Sequence, residues 1–316
     1  MTRHALTRRL PAPCAILVFG ALTLAACGSG SAAGSTVGTG APTTGGAAGA
    51  VKVVAAENVW GDITRQIGGS HVSATSIISD PNTDPHQYET DARDAAAVSS
   101  AAFVIENGLG YDDFADRLLK AGPNSTRKVL SIAKAVGAGG DNPNPHLWYN
   151  PAYVVTAAHT IETRLATEDP ADAATFRTNL TRFLAGEAQV AATIRQIRTR
   201  YAGAPIAYTE RVPGYLVTAA GLTLATPASF SQSIEDGNDP SPVDTAAFDA
   251  ALTGRKVRVL LYNGQVTSPI TEQARALAKA NGIPVIGVTE TLPPGEKDFQ
   301  TWQNDQAKAI LGALGG

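Results

Sequence analysis

The sequence predicts an α/β protein of two lobes with parallel-rich sheets, joined by one long helix. Three observations predict it. Short β-rich apolar runs alternate with amphipathic helical stretches over residues 51–132; the alternation then gives way to two long helical segments, 151–166 and 170–201; and it resumes from residue 206. Strands that alternate with helices build parallel sheets covered by helices, so the chain reads as α/β lobe, long helix, α/β lobe. The expected boundaries are a leader over residues 1–26, a tether over 27–50, an N-terminal lobe over 51–169, the linking helix over 170–201 and a C-terminal lobe over 202–316.

The leader opens with Arg3, Arg8 and Arg9, continues as an apolar run over residues 15–26 and ends in Leu24-Ala25-Ala26-Cys27. That is the pattern of a signal peptide, too short and too asymmetric for a spanning helix. The small residues before Cys27 resemble the lipobox of bacterial lipoproteins. The resemblance implies that Cys27 is acylated as the mature N-terminus and that the protein is extracytoplasmic, anchored to the cell membrane. Cys14, the other of the two cysteines, lies in the leader, so no thiol remains in the folded part. Removing the three leader arginines takes the basic count from 25 to 22 against 28 acids, a net charge of about −6, which argues against nucleic acid as a partner. From Gly28 to Ala50 the chain uses only Gly, Ser, Ala, Thr, Val and Pro, which cannot bury enough apolar area to offset ordering. A flexible tether of this length reaches roughly 25 Å.

In the N-terminal lobe, strands are expected at 51–56, 72–78, 102–106 and 128–132, with helices at 60–67, 92–100 and 111–121. In the linking segment Phe176, Leu180, Phe183, Leu184, Val190, Ile194 and Ile197 recur mostly three and four residues apart, and Pro170 stands where a helix start tolerates proline. A helix of about 30 residues spans about 45 Å. The C-terminal lobe resumes with strands at 206–209, 223–225, 257–262 and 284–288 and helices at 214–220, 245–252, 271–281 and 302–311. No internal repeat is evident.

Leaving His4 in the leader, the histidines are His71, His86, His146 and His159. Two stand in matching contexts, Asp84-Pro85-His86 and Asn144-Pro145-His146, where proline keeps the histidine out of a helix and suits presentation from a loop at the carboxyl end of a strand. Imidazole suits Zn, Fe, Cu and Ni, and carboxylates extend the range toward Mn. Two histidines do not close a coordination sphere. The remaining donors must be oxygens, because the folded part has no cysteine and the single methionine is Met1. His71, beside Gly68-Gly69-Ser70, reads as part of a surface turn, and His159 as a helix-face residue. Asp84, Tyr88 and Asn144 are candidates to orient the ligands, and Trp148 reads as a packing residue.

From Val51 to Leu314 the chain resembles the metal-binding substrate-binding proteins of ABC transporters, the zinc/manganese or cluster A-I type. The carriers are, in order, Asp84-Pro85-His86-Gln87-Tyr88-Glu89, Asn107-Gly108-Leu109-Gly110-Tyr111, Asn144-Pro145-His146-Leu147-Trp148-Tyr149-Asn150-Pro151, Tyr208-Thr209-Glu210-Arg211-Val212-Pro213-Gly214-Tyr215-Leu216, Asp239-Pro240-Ser241-Pro242 and Val288-Thr289-Glu290-Thr291-Leu292. Singly each is weak; six in the family's order are specific. The resemblance implies two lobes on one rigid helix with a metal ion in the cleft, held by His86, His146, Glu210 and Glu290. Glu290 departs from the usual aspartate by one methylene, and Asp236 and Asp239 stand as alternatives for the fourth ligand.

The implied function is capture of a divalent transition metal, Mn2+ or Zn2+, and its delivery by a monomer to an ABC transporter permease for uptake, with no bond chemistry. Two other classes are weighed against it. A metal-dependent hydrolase would need a water-activating base beyond the ligands, and no His-Glu-x-x-His helix is present. A binding protein for a chelate such as a siderophore or haem shares the two-lobe plan and would need a larger pocket. Residues 136–143, where many zinc-specific relatives carry a loop rich in histidine, hold one acid and no histidine, which tilts the expectation toward manganese.

Overall fold

The first folded segment is rich in valine, and its β-branched side chains fit a strand buried on both faces. It forms β1 (Val51–Glu57), followed by α1 (Asn58–Gly68), β2 (Val72–Ile78), α2 (Ala92–Ser100), β3 (Phe103–Glu106), α3 (Asp113–Ala121), β4 (Lys128–Ser131) and the short α4 (Ile132–Val136). The computed structural model describes residues 49–80, 83 and 88–315. The leader, nearly all of the tether with Cys27, and Asp84, Pro85 and His86 lie outside the described residues.

Two long helices come next, α5 (Pro151–Glu168) and α6 (Ala173–Tyr201), separated by a 3-10 turn at Pro170–Asp172. Pro170 therefore opens that turn rather than the long helix itself. The second lobe runs β5 (Pro205–Tyr208), α7 (Gly214–Ala219), β6 (Thr223–Leu224), α8 (Ala228–Glu235), α9 (Pro242–Thr253), β7 (Leu260–Asn263), α10 (Pro269–Ala280), β8 (Val285–Val288) and α11 (Phe299–Gly315). Proline at the first helical position, behind a capping side chain, fixes where three helices begin: Asn150 before Pro151, Ser241 before Pro242 and Ser268 before Pro269. Helix α8 was not anticipated. Ser231, Gln232 and Ser233 dilute its apolar period, and burial of Phe230 and Ile234 in the core fixes it instead.

Each lobe holds a four-stranded sheet in which every pairing is parallel, ordered β2-β1-β3-β4 in the first and β6-β5-β7-β8 in the second. The two orders are the same winding. The registers repeat as well: Ala55 pairs with Ile105 and Tyr208 with Leu261, which puts Glu57 and Asn107 in one lobe where Glu210 and Asn263 stand in the other.

One core runs through both lobes. The inner faces of β1 and β3, helices α5, α6 and α11 and the inner faces of β5 and β7 share a continuous apolar cluster that includes Trp60, Phe103, Phe176, Phe183, Ile206 and Trp302. Separate clusters cover the outer faces, around Phe114 in the first lobe and Phe230 and Phe248 in the second. The C-terminal helix closes back on the first lobe: Phe299 N–H donates to Asp62 at 3.0 Å, and Gln66 Nε2 to Gln300 Oε1 at 2.9 Å.

Candidate metal centre

The carboxyl ends of the two sheets, where open α/β sheets bind ligands, are brought together at one cleft, since Tyr111 and His146 of the first lobe meet Glu290 of the second. From the first lobe comes His146, fully buried. Pro145 carries its backbone out of β-structure, and Asn107 Nδ2, at the end of β3, donates to the Pro145 carbonyl at 2.8 Å. Asn144 sets the ring. Its Nδ2 donates to the Arg211 carbonyl at 2.8 Å, and its Oδ1 accepts the His146 backbone N–H at 3.0 Å. A carbonyl can only accept and an amide N–H only donate, so the orientation of the Asn144 side chain is determined. The same Oδ1 lies 2.8 Å from His146 Nδ1, which must therefore carry a proton, and Nε2 is the nitrogen turned to the cleft. Trp148 and Tyr111 pack edge-on against the imidazole, with centroids 5.5 and 5.6 Å away.

The second lobe contributes Glu210, two residues beyond β5, and Glu290, two beyond β8, both buried. Asn263, the last residue of β7, joins them: its Nδ2 donates to Glu290 Oε1 at 2.7 Å and also to Glu210 Oε2. Glu290 Oε2 then faces the other lobe, 3.3 Å from His146 Nε2 and 2.8 Å from the Tyr111 hydroxyl that donates to it. Burial, reinforced by the charge of Glu290, pushes the Tyr111 phenol well up, so it stays a donor. Gln265 fixes the Glu290 backbone, accepting the N–H groups of Glu290 and Thr291 on Oε1 while its Nε2 donates to Thr291 Oγ1 at 2.9 Å. The extra methylene of Glu290 has a use: one carboxylate spans from the Asn263 amide to groups of the opposite lobe.

Tyr111 arrives by a loop of unusual backbone. Gly108, Leu109 and Gly110 all have positive φ, at 84°, 61° and 79°. Leu109 is there without the freedom of glycine. The turn is held by Asp112, whose Oδ1 accepts the Gly108 N–H at 2.8 Å and whose Oδ2 accepts that of Asn107.

Next to these side chains, the lobes are latched through polar groups. Arg211 forms a two-pronged pair with Glu235, at 2.8 and 2.6 Å, and donates to the Asn142 carbonyl at 3.2 Å. Asn142 Nδ2 reaches Gln232 at 2.9 Å, and the Tyr215 hydroxyl donates to the Asn144 carbonyl at 2.9 Å.

The sequence-predicted residues thus divide. His146, Glu210 and Glu290 converge, and Asn144 orients a ring as expected. His86 and Asp84 lie outside the described residues. Tyr88 serves elsewhere: its hydroxyl donates to Asp94 at 2.9 Å and its ring packs on Phe114. Asp236 and Asp239 are exposed beyond α8, and Asp236 accepts from Gln232 at 2.8 Å, whereas Glu290 is buried beside His146. Trp148 packs in the core and also touches the His146 ring. His159 is an exposed residue of α5. Sequence reasoning missed Asn263, Gln265 and the role of Tyr111; the Asn-Gly-Leu-Gly-Tyr motif was the available signal for the last.

Residues 53–313 match the family described as ZnuA, zinc-uptake complex component A, periplasmic. The chain belongs to this family. Among curated ZnuA-like relatives, the manganese ABC transporter substrate-binding lipoprotein ScaA of Streptococcus gordonii is 24% identical over 264 residues, covering 78% of this chain and 82% of that protein. The manganese-binding lipoprotein MntA of Halalkalibacterium halodurans is 28% identical over 138 residues, 42% of this chain and 45% of that one. Among solved structures, the periplasmic zinc-binding protein TroA of Treponema pallidum superposes with a TM-score of 0.73 at 16% identity, covering 84% of this chain and 99% of its own. The ZnuA-like fold therefore extends over the whole globular part. The family's description is that of an uptake-complex component, and the relatives named are substrate-binding or metal-binding proteins.

Proposed function

We propose that this ZnuA-family protein is the extracytoplasmic substrate-binding component of an ABC transporter, and that it captures one divalent transition-metal ion, Mn2+ or Zn2+, on His86, His146, Glu210 and Glu290. The observation that carries the reading is the convergence, inside the cleft, of His146 Nε2 on Glu290 Oε2 at 3.3 Å, with Glu210 held on the same Asn263 amide. Two carboxylates gathered on one nitrogen in a dry pocket repel each other, and a divalent cation is the counter-charge such a pair accepts. Two neutral imidazoles and two carboxylates make a neutral shell around it. Four side-chain ligands leave no open position for a catalytic water, which disfavours the hydrolase reading. The named relatives bind manganese or zinc, and the absence of sulfur donors in the described pocket agrees with either.

Cys27 carries the lipid that holds the protein at the membrane, and the tether lets a monomeric two-lobe body reach the permease. Among the described residues no helix is long and apolar enough to cross a membrane.

The test is metal content of protein isolated from its own host, followed by melting of the apo form with Mn2+ and with Zn2+. An ion that binds only the folded state, at 100 times its Kd, should add about 2.7 kcal/mol. His146→Ala and Glu290→Ala should abolish that shift. A wild-type melting temperature indifferent to both metals would overturn the reading.

A further inference from the structure

At the amino ends of the strands, the edge of the first sheet away from the cleft, His71 stands just before β2 and beside the turn that joins α5 to α6. The heptapeptide β2 separates this edge from the cleft edge by about 20 Å. Asp169 and Asp172 project from that turn. Each occupies the residue before a helical segment, Asp169 before Pro170–Asp172 and Asp172 before α6. Aspartate is favoured there because its carboxylate can accept the first free N–H groups of the helix. Neither does so: both side chains leave their helix starts uncapped.

They turn toward His71 instead. One ligand atom from each of the three residues lies within 4.8 Å of the other two, and His71 Nδ1 is 2.7 Å from Asp172 Oδ2. Asp169 is only 8% exposed, and its carboxylate makes no capping hydrogen bond to the turn that follows it. Two carboxylates and an imidazole gathered this closely, on a residue that is itself mostly buried, offer a cation three donor atoms at once. The imidazole is held for this geometry. Phe176 of α6 packs edge-on to it with centroids 6.1 Å apart, and Asn179 Nδ2, one turn on, donates to the Ile67 carbonyl at 3.0 Å, seating the α1–β2 corner on α6.

We propose that His71, Asp169 and Asp172 form a second binding site for a divalent transition-metal ion, distinct from the cleft. One imidazole and two carboxylates suit Zn2+, with a solvent-filled fourth position because His71 and Asp172 are partly exposed. The bound ion replaces the His71–Asp172 hydrogen bond, engages Asp169 and cross-links the start of β2 to the start of α6. The open position makes it the more readily exchanging of the two sites.

Zn2+ titration of the full chain by isothermal calorimetry and equilibrium dialysis tests this. Wild type is expected to take two equivalents, Asp169→Asn one, His146→Ala one, and the double variant none above background. Asp169→Asn should also melt in EDTA at or above the wild-type temperature, because it removes one of two neighbouring like charges. His71→Gln supplies the same loss of one equivalent should Asp169→Asn fold poorly. A single equivalent in wild type that is lost in His146→Ala and kept in Asp169→Asn and His71→Gln would overturn the second site while leaving the cleft reading intact. Two equivalents in both of those variants would also overturn it. Loss of the cleft equivalent alone would leave it standing.

Discussion

At the carboxyl end of the first sheet, Glu57 lies two residues past Ala55 and Asn107 two past its partner Ile105; in the second sheet Glu210 and Asn263 stand in the same relation to Tyr208 and Leu261. The four residues are all buried, yet the two pairs do different work. Asn263 turns its amide onto Glu210 and Glu290 and presents both to the cleft. Asn107 turns its amide to the backbone at Pro145, accepts from Trp60 Nε1 at 3.2 Å, and leaves its own strand-end glutamate alone. Among the described residues no N–H or O–H donor reaches either Glu57 oxygen, and its polar neighbour is the Asp112 carboxyl, with which it can bond only if one of the two keeps its proton. Burial first, then the charge of Asp112, pushes the Glu57 carboxyl well up. Burial raises Asp112 as well, to about 6. A glutamate at the end of a central strand therefore becomes a candidate ligand through the donor aimed at it, not through its place in the fold.

The largest expected effect that could break this comparison is between the two glutamates. Glu210→Gln should weaken Zn2+ or Mn2+ binding by more than about 100-fold, while Glu57→Gln, measured in the same calorimetric titration, should change it by less than about threefold. Equal losses would put Glu57 among the ligands. Next come the two asparagines. Asn263→Leu should cost about 10- to 100-fold in affinity, as a lost ligand-orienting contact does. Asn107→Leu should show chiefly as lost stability of about 1 to 3 kcal/mol in denaturant unfolding, since it strands the Trp60 donor and the Pro145 carbonyl. Asn144→Asp keeps the acceptor for His146 and loses the donor to Arg211, so roughly a tenfold loss of affinity is expected.

The smallest effect is on pH dependence. Because the folded Glu57 carboxyl sits above its unfolded value near 4.5, the folded state holds more protons there. Its contribution is therefore full below that value and is lost as pH rises toward the folded one. Metal-free Glu57→Gln should be no more stable than wild type at pH 4 and increasingly more stable above neutrality, read as melting temperature against pH. A constant difference across that range would show that Glu57 is ionised in the folded protein.

The alternation of strands and helices and the long linking segment were legible in the sequence because they are local patterns. The placing of His146 and Glu210 at the strand ends by the cleft was legible too, one through the proline before it and the other through its place after a strand within a motif. Asn263 and Gln265 were not legible, since what matters about them is a meeting with residues 25 to 53 positions away that only the sheet brings about. The register repeat also escaped notice, because the corresponding strands Val51–Glu57 and Pro205–Tyr208 share little beyond apolar character. Helix α8 was hidden by its serines and is held by tertiary burial of Phe230 and Ile234.

Helix α6 runs unbroken for 29 residues, about 44 Å, and its apolar face belongs to the core of both lobes. Proteins that close on cargo like a jaw need a short connector whose dihedral angles can swing, and a continuous helix embedded at both ends offers none. Mechanically it is a beam rather than a hinge. Arrival of the ion is then expected to register as stiffening of the loops around the cleft, visible as slowed amide exchange at constant scattering radius. A transporter reading this protein would be sensing how readily those loops yield, more than how far apart the lobes stand.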